Sequence, residues 1–446
     1  MTEQALRAET STAPAQDQDQ DQDQDASLPS DLAGSVPTEA VQRPRWRRAV
    51  DDRRRPLLIA VLGTLGFRLI VTWVALVSAD GVVFPHLVAR HPGILSNILN
   101  QWDGGYYIIP AEHGYPLHSA VHAVEISHRS FYAFGPLYPA LIRIAHAVTG
   151  IGYVTSSEVV STIGLMVALA ALWQLVHLDA GSKPADGACL FVLAWPSAFF
   201  LVATYPESVT LAAATLAFLA VRRGHFLLAG LAAAAAAMGK YYLVLLVIPL
   251  AIEVWVAPRD QNSWRWGRDL KWLSPMRVTA ARLVAVAAPT VAALLAWMLY
   301  QQSHFGDAFA FVRAQAQWNR HLDWPWVSLW HAVSDVVHLR ILDTSTASVV
   351  ELFDLVTVVL LAVAAVVAYT RVRPSYGVLL ALAWCVYTFQ TILLSESREI
   401  LVLFPFFAVL GVWTARHAWR ERALLFLFLP AGYFLLERFV TGKFAG

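Results

Sequence analysis

An aspartate set among glycines and aromatic rings is the strongest candidate for chemistry in this sequence. Asp103 follows Trp102 and precedes two glycines and the pair Tyr106 and Tyr107. Small residues beside a carboxylate let a substrate approach closely, and aromatic rings offer faces on which sugar rings stack. The same pattern also fits an aspartate that caps a short helix at a membrane surface. The residues alone leave both interpretations open.

Three other charged residues, Glu207, Lys240 and Arg398, each lie in a short turn between apolar runs. Taken singly, such charges are most often solvated or snorkel to the membrane surface. If they share one cavity with Asp103, a carboxylate is available as a general base and two cations are available to hold a phosphate. That combination favours transfer from a lipid-carried donor to an acceptor at the membrane surface.

The composition restricts which elements can position these residues. Of 446 residues, 57% are hydrophobic and 15% are charged, and the mean hydropathy is +0.51. A soluble chain of this length would have too little polar surface to cover its core. Soluble enzymes, nucleic-acid binders and secreted disulfide scaffolds are therefore excluded, and an all-α, polytopic integral membrane protein is predicted. Cys189 and Cys385 both fall in apolar segments and are predicted to be buried thiols.

Apolar runs predict 11 membrane spans, within a range of 10 to 12. Residues 1–56 are predicted to form a disordered cytoplasmic tail that ends in an arginine-rich cluster, and residues 57–446 form the multi-span domain. Because the short basic loops belong on the cytoplasmic side, loops 80–152 and 301–349 are assigned to the extracytoplasmic side. The runs lie at residues 57–79, 153–178, 187–203, 207–222, 225–239, 241–257, 283–300, 350–370, 376–394, 400–415 and 424–441.

Residues 131–148 form an apolar segment that carries Arg143 and His146. The segment is long enough to be considered as a span. We expect instead a helix that lies along the outer interface or dips into it, because a further span would invert every later loop and bring the basic loop 259–282 outside.

Histidines are frequent in loop 80–152, but their spacing is a weak signal for a metal. His118 and His122 are four residues apart and have no matched carboxylate. Interfacial hydrogen bonding is the favoured interpretation, so no metal is predicted. The sequence also lacks a glycine-rich phosphate loop or a dinucleotide fingerprint, so no cofactor and no nucleic-acid partner are predicted.

Several stretches resemble, in matching order, the PIG-V family of mannosyltransferases, the second mannosyltransferases of GPI synthesis, and its bacterial membrane relatives. The stretch 102–115 is similar to the family element W-D-x-x-W/Y-Y-x-x-I-A-x-x-G-Y. The likeness covers nearly everything after residue 57. The other similar stretches are 134–139, 196–200, 205–208, 305–307 with Gln315 and Trp318, and Arg398 with 403–405.

This resemblance implies a C-type glycosyltransferase fold with its catalytic acid, here Asp103, in the first extracytoplasmic loop. It implies transfer of a sugar, in this family mannose, from a polyprenyl-phosphate donor to a lipid or glycan acceptor, within a bacterial plasma membrane. Trp102, Tyr106, Tyr107, Glu207, Lys240 and Arg398 are the expected substrate-binding residues. Membrane lipids are the expected surroundings.

The sequence departs from the family pattern at several places, among them Pro206, Ile109-Pro110 and Ser397. Met238 to Leu243 replaces a T-R-x-x-G element and keeps only a cation, Lys240, while Gly135 replaces a larger residue. A non-catalytic homologue or partner subunit is therefore an alternative, in which the altered element marks a lost donor site. A lipid or solute transporter is a further alternative, although its charges would be expected at mid-membrane on broken helices.

Overall fold

The computed structural model describes residues 54–78, 98–115, 128–256, 275–337 and 347–446. The predicted tail and most of its arginine cluster lie outside these residues. Within the described part the chain is helical and has no strand, only an isolated antiparallel bridge between Leu322 and Gln390. The all-α prediction is confirmed.

The helices are numbered here in chain order. They are α1 (Arg54–Ser78), α2 (Gly105–His113), α3 (Leu137–Thr149), α4 (Tyr153–Ala180), α5 (Ser182–Ala194), α6 (Glu207–Arg222), α7 (Phe226–Gly239), α8 (Tyr241–Val256), α9 (Pro275–Phe305), α10 (Ala310–Arg313), α11 (Pro325–Val337), α12 (Ala347–Val367), α13 (Pro374–Thr388), α14 (Glu396–Glu399), α15 (Phe404–Thr414) and α16 (Ala418–Val440).

Five helices are long and apolar enough to cross a membrane: α1, α4, α9, α12 and α16. A sixth span is formed if the segment Glu396–Val402 and α15, which meet at an angle of 84°, are counted together. Each of the 11 predicted runs contains helix, but α7, α8 and α13 are shorter apolar helices. The protein is an integral membrane protein, and the predicted number of 11 spans is not confirmed.

Helix α9 shows why the hydropathy pattern misplaced some boundaries. It covers Pro275–Phe305, whereas the apolar run suggested only 283–300. Proline suits the first helical turn, and Gly306 ends the helix with a left-handed φ of 70°. Polar residues at both ends of a span continue its helix, so hydropathy alone gives too short a segment.

The segment 131–148 contains α3, which is amphipathic and short. Its 13 residues extend about 20 Å, less than the roughly 30 Å of a bilayer core. The Arg143 guanidinium donates hydrogen bonds to the carbonyls of Ala111 (2.7 Å) and Pro110 (3.3 Å) on α2. α3 therefore braces the helix that follows Asp103.

The two cysteines differ in exposure. Cys189 on α5 is buried, as predicted, but Cys385 on α13 is exposed. The prediction for Cys385 was wrong because α13 turns this position away from the packed interior into a cavity described below.

A group of ion pairs, here called the distal cluster, joins four helix ends. It consists of Asp179, Arg222, Glu253 and Arg373, at the ends of α4, α6 and α8 and the start of α13. Arg222 contacts Asp179 at 2.7 Å, and Arg373 contacts Glu253 at 2.7 Å and Asp179 at 3.3 Å. Tyr376 adds a hydrogen bond to Asp179 at 2.6 Å. Because each carboxylate meets at least one guanidinium, these buried charges are compensated.

The basic-loop pattern leads to a prediction about membrane orientation. In a Cys385→Ser background, we expect Ser303→Cys, at the exposed end of α9, to react with a membrane-impermeant maleimide in intact cells. His417→Cys, in the exposed basic loop before α16, should stay unlabelled until the cells are opened. Cys189 is buried and serves as the unreactive internal control. Labelling of residue 417 from outside would reverse the assigned orientation.

Candidate active site

Asp103 lies in a tight turn that begins α2. The turn covers Trp102–Gly104, and Trp102 adopts a left-handed φ of 53°. Tyr205 holds the turn from below: its hydroxyl accepts the Asp103 backbone N–H at 3.1 Å and donates to the Gln101 carbonyl at 3.0 Å. A bulky residue in the left-handed region is costly, so this turn is stabilised by its surroundings.

The small residue after Asp103 serves the packing of the protein. A Cβ atom on Gly104 would come within 2.3 Å of the Asn100 side-chain oxygen. The lack of a side chain on Gly104 therefore allows a close contact with the protein's own Asn100 side chain. No side-chain oxygen caps the start of α2. The Asp103 carboxylate points instead to a cation.

Charged residues from four separate turns meet around Asp103 in what we call the site cluster: Asp103, Arg398, Glu207, Lys240 and Glu399. Arg398 contacts Asp103 at 3.0 Å and Glu207 at 3.5 Å. Lys240 contacts Glu207 at 3.0 Å and Glu399 at 2.5 Å. The structure thus brings together Asp103, Glu207, Lys240 and Arg398, which the sequence placed on one side of the membrane.

The three carboxylates of the site cluster differ in access. The Glu207 side chain is fully buried and its Oε1 atom faces both cations, whereas 23% of the Asp103 side chain is exposed. Only Oδ2 of Asp103 is engaged by Arg398, and Oδ1 accepts no hydrogen bond from the described residues. Asp103 therefore keeps an oxygen that can meet a substrate, and Glu207 acts as a buried counter-ion.

Tyr107 and Tyr205 lie next to the site cluster. Burial raises the pKa of both phenols well above the usual value of 10.0, and Glu207 and Asp103 add to the shift. Both hydroxyls therefore remain protonated near neutral pH, because burial and nearby carboxylates disfavour a phenolate. The Tyr205 hydroxyl positions the turn, and the carboxylates are left as the proton-accepting groups.

The backbone just before Lys240 packs against Gly135, another position at which the sequence differs from the family that it resembles. A Cβ atom on Gly135 would come within 2.1 Å of the Met238 carbonyl oxygen. The two departures, Gly135 and the Met238 to Leu243 element, therefore face each other. A larger residue at 135 would displace the turn that places Lys240 in the site cluster.

A cavity of about 790 Å³ opens beside the site cluster. Its charged lining includes Asp103, Lys240, Arg398 and Glu399. A second set of lining residues is apolar and comes mainly from α13 and the segment around α10: Phe311, Val312, Leu322, Val386 and Phe389. The cavity thus offers both charged and apolar surfaces to one ligand.

Not every predicted binding residue lines this cavity. Tyr107 does, but Trp102 packs edge-on against Phe444 and donates to the Lys443 carbonyl at 3.2 Å. Tyr106 stacks on Phe134 with ring centroids 4.6 Å apart. Their expected stacking on a sugar therefore finds no support in the position of their rings.

Several lining residues were not predicted to be in the site. Glu399 follows Arg398 by one position, and Tyr242 and Tyr387 join their hydroxyls at 2.9 Å across the cavity wall. Arg320 comes from loop 301–349, which the sequence assigns to the extracytoplasmic side without singling out this residue. Sequence spacing does not predict the contacts between the turns, because they join residues that are far apart in the sequence.

Metal ligands were judged weakly supported by the sequence. Among the residues that the structure describes, no group of three or more His, Cys, Asp or Glu side chains is arranged to hold a metal ion. His118 and His122 lie outside the described residues.

No protein-family profile matches the chain, and no curated protein sequence matches it. ArnT from Cupriavidus metallidurans, solved with undecaprenyl phosphate, matches 85% of this chain and 77% of its own, with 15% identity and a TM-score of 0.37. An oligosaccharyltransferase from Archaeoglobus fulgidus, solved with a tethered acceptor peptide, matches 87% of this chain and 56% of its own, with 11% identity and a TM-score of 0.40.

The chain therefore spans little more than half of the oligosaccharyltransferase. A third match, the archaeal oligosaccharyltransferase AglB from Archaeoglobus fulgidus with an inhibitory peptide and a dolichol-phosphate, has 12% identity and a TM-score of 0.38, over 87% of this chain and 57% of its own. These similarities are too weak to indicate the chemistry of the site, which follows from its own residues.

Proposed function

We propose that this protein is a membrane glycosyltransferase of the C-type fold. It moves a sugar, mannose by the resemblance of its motifs, from a polyprenyl-phosphate carrier to a lipid or glycan acceptor on the extracytoplasmic side. One observation carries the proposal: Asp103, whose Oδ1 atom accepts no hydrogen bond from the described residues, lines a cavity that has both charged and apolar groups.

In this reaction the Asp103 carboxylate takes the proton of an acceptor hydroxyl. The acceptor oxygen forms a bond to the anomeric carbon while the bond between that carbon and the phosphate oxygen breaks. The polyprenyl phosphate leaves with the electron pair, and attack from the opposite side inverts the anomeric centre. Arg398 orients the carboxylate at 3.0 Å, so the base is positioned before the acceptor arrives.

The form of the cavity supports a lipid-linked donor. A polyprenyl-phosphate sugar has a charged headgroup and a long apolar chain, and the lining offers a surface for each. Cations beside the leaving phosphate stabilise the charge that develops on it, which is the main electrostatic requirement of such a transfer. A soluble nucleotide-sugar has no long apolar chain to occupy the apolar lining.

A non-catalytic homologue is the second candidate, and one observation favours it. Lys240 and Arg398, the cations expected to hold the donor phosphate, are each already paired with two carboxylates. In a chain that had lost its donor site, we would expect the two cations to pair with carboxylates of the protein itself in this way. The proposal of an enzyme therefore needs a direct test of transfer.

The test is to supply membranes that contain the protein with labelled polyprenyl-phosphate mannose. We expect a new labelled lipid or glycan that is absent from membranes without the protein. Carriers with other sugars, given in parallel, identify the sugar. If no carrier yields a labelled product, the protein is not a transferase and the second candidate replaces it.

A further inference from the structure

The charges in the cavity do not suit a phosphate unless a further cation takes part. Within the site cluster, Lys240 and Arg398 face three carboxylates, so the cluster carries an excess of negative charge. An anionic headgroup would be repelled by this excess. A cation that is not already paired with a carboxylate must therefore face the same cavity if a lipid phosphate binds there.

Arg320 is such a cation. It lines the same cavity as Asp103 and Arg398. Among the described residues it forms no ion pair, and its one side-chain hydrogen bond is donated from Nη2 to the Leu394 carbonyl. Its Nε atom is buried and has no hydrogen-bond partner in the described chain. Part of its donor capacity is therefore unused.

Two acidic residues near Arg320, Asp354 and Glu396, form no ion pair with its guanidinium among the described residues. The Asp354 carboxylate accepts the backbone N–H groups of Ser395 (2.8 Å) and Ser397 (2.7 Å). Glu396 lines the same cavity, and no ion pair joins it to Arg320 in the described chain. Neither acid therefore occupies the donor groups of Arg320 among the described residues.

The backbone on both sides of Arg320 is fixed. Asn319 adopts a left-handed φ of 55°, which asparagine tolerates, and its carbonyl accepts the Thr391 hydroxyl at 3.1 Å. His321 exchanges two bonds with Thr391: its N–H donates to the hydroxyl at 2.9 Å, and its carbonyl accepts the Thr391 N–H at 3.0 Å. Arg320 is thus held at the cavity wall by neighbours on either side.

We propose that Arg320 binds the phosphate headgroup of the polyprenyl donor, while Lys240 and Arg398 position the carboxylates of the site cluster. The inference rests on the proposed function and adds a residue to it. A guanidinium presents a planar set of N–H donors that matches phosphate oxygens, and two parallel bonds hold the group in one orientation. The apolar lining from Phe311, Leu322 and Phe389 then receives the first units of the lipid chain.

Cys385 offers a direct readout of binding. It is an exposed thiol that lines the cavity, whereas Cys189 is buried. In the purified protein, undecaprenyl phosphate should slow alkylation of Cys385, and the concentration dependence gives an apparent Kd. Undecaprenol, which lacks the charge, should protect less, and inorganic phosphate alone should not cover the thiol.

We expect Arg320→Gln to weaken the apparent affinity for undecaprenyl phosphate by roughly 10- to 100-fold, because charged hydrogen bonds to the headgroup are lost. The weak protection by undecaprenol should be unchanged. Arg313→Gln is the matched control, since Arg313 is exposed on the same segment and pairs with Asp307 at 2.7 Å. That variant should bind as the parental protein does.

The outcomes separate this inference from the proposed function. If the parental protein binds undecaprenyl phosphate no better than undecaprenol, the lipid-phosphate donor itself is refuted. If it prefers the phosphate and Arg320→Gln does not change that preference, only the role of Arg320 is refuted. Protection by inorganic phosphate alone would assign the site to a free anion and overturn the lipid source.

A folding defect is detected in the same experiment, because unfolding exposes Cys189 to the reagent. Should Arg320→Gln label Cys189, Arg320→Lys provides the test. Lysine keeps the positive charge but lacks the planar guanidinium group. We therefore expect its affinity for undecaprenyl phosphate to lie between that of the parental protein and that of a variant without a cation at this position. An affinity equal to the parental one in a folded Arg320→Lys protein would overturn the claim of paired guanidinium bonds.

Discussion

Asp103→Asn is expected to lower sugar transfer by at least about a hundredfold while expression and membrane insertion stay normal. Asparagine can still accept a hydrogen bond from Arg398, so the turn keeps a partner for that guanidinium. It has no carboxylate oxygen to receive the proton of the acceptor. The measurement is the initial rate of product formation at saturating donor, with equal amounts of each protein in the membrane.

Asp307→Asn is the matched control for this substitution. Asp307 is also paired with an arginine, Arg313 at 2.7 Å, but it lies away from the cavity lining. Its transfer rate should equal the parental rate. If Asp103→Asn also transfers at the parental rate, Asp103 is not the base, and Glu399 becomes the candidate because it lines the same cavity.

Arg398→Ala is expected to cost about 3–5 kcal/mol of unfolding free energy as well as activity, because it removes the ion-pair partner of Asp103 and one of the two cations that compensate the buried Glu207. The Arg398 side chain is only 10% exposed and contacts both Asp103 and the fully buried Glu207. Its guanidinium also lies over the rings of Phe200 and Tyr205, 5.3 and 5.2 Å from their centroids. Denaturant unfolding of the purified protein, followed by tryptophan fluorescence, measures the loss.

A double variant separates uncompensated charge from lost packing. Adding Glu207→Gln to Arg398→Ala removes the buried carboxylate that the first change leaves behind, so part of the lost stability should return. Arg313→Ala, an exposed arginine, should change stability by less than about 1 kcal/mol. A loss of similar size for Arg313→Ala and Arg398→Ala would show that the site cluster does not stabilise the fold.

The sequence predicted those features of the fold that depend on hydropathy. The long apolar runs predict α1, α4, α9, α12 and α16, since a bilayer demands continuous apolar surface. The positions of the basic loops predicted that Asp103, Glu207, Lys240 and Arg398 lie on one side of the membrane. The structure brings these four residues together.

Pairing within the site cluster could not be predicted. Arg398 and Asp103 are separated by 295 positions in the sequence. The angles between helices decide which carboxylate a guanidinium reaches, and a local sequence pattern contains no information about these angles. The contact of Gly104 with Asn100 could not be predicted for a related reason, because the Asn100 side chain fills the space beside Gly104 only in the folded chain. Arg320 gave no signal, since one arginine in a long loop is ordinarily solvated.

The two clusters of ion pairs act on the same helix. Glu207 is the first residue of α6 and belongs to the site cluster, and Arg222 is its last residue and belongs to the distal cluster. A slide of α6 by one turn, about 5.4 Å, would break contacts at both ends at once. α6 and the helices tied to it therefore form a fixed frame with a set register. Under the proposed function, we expect admission of a substrate to involve movement of segments outside this frame, such as α10 and α11. The rocking of whole halves that a transporter needs is opposed at both ends of α6.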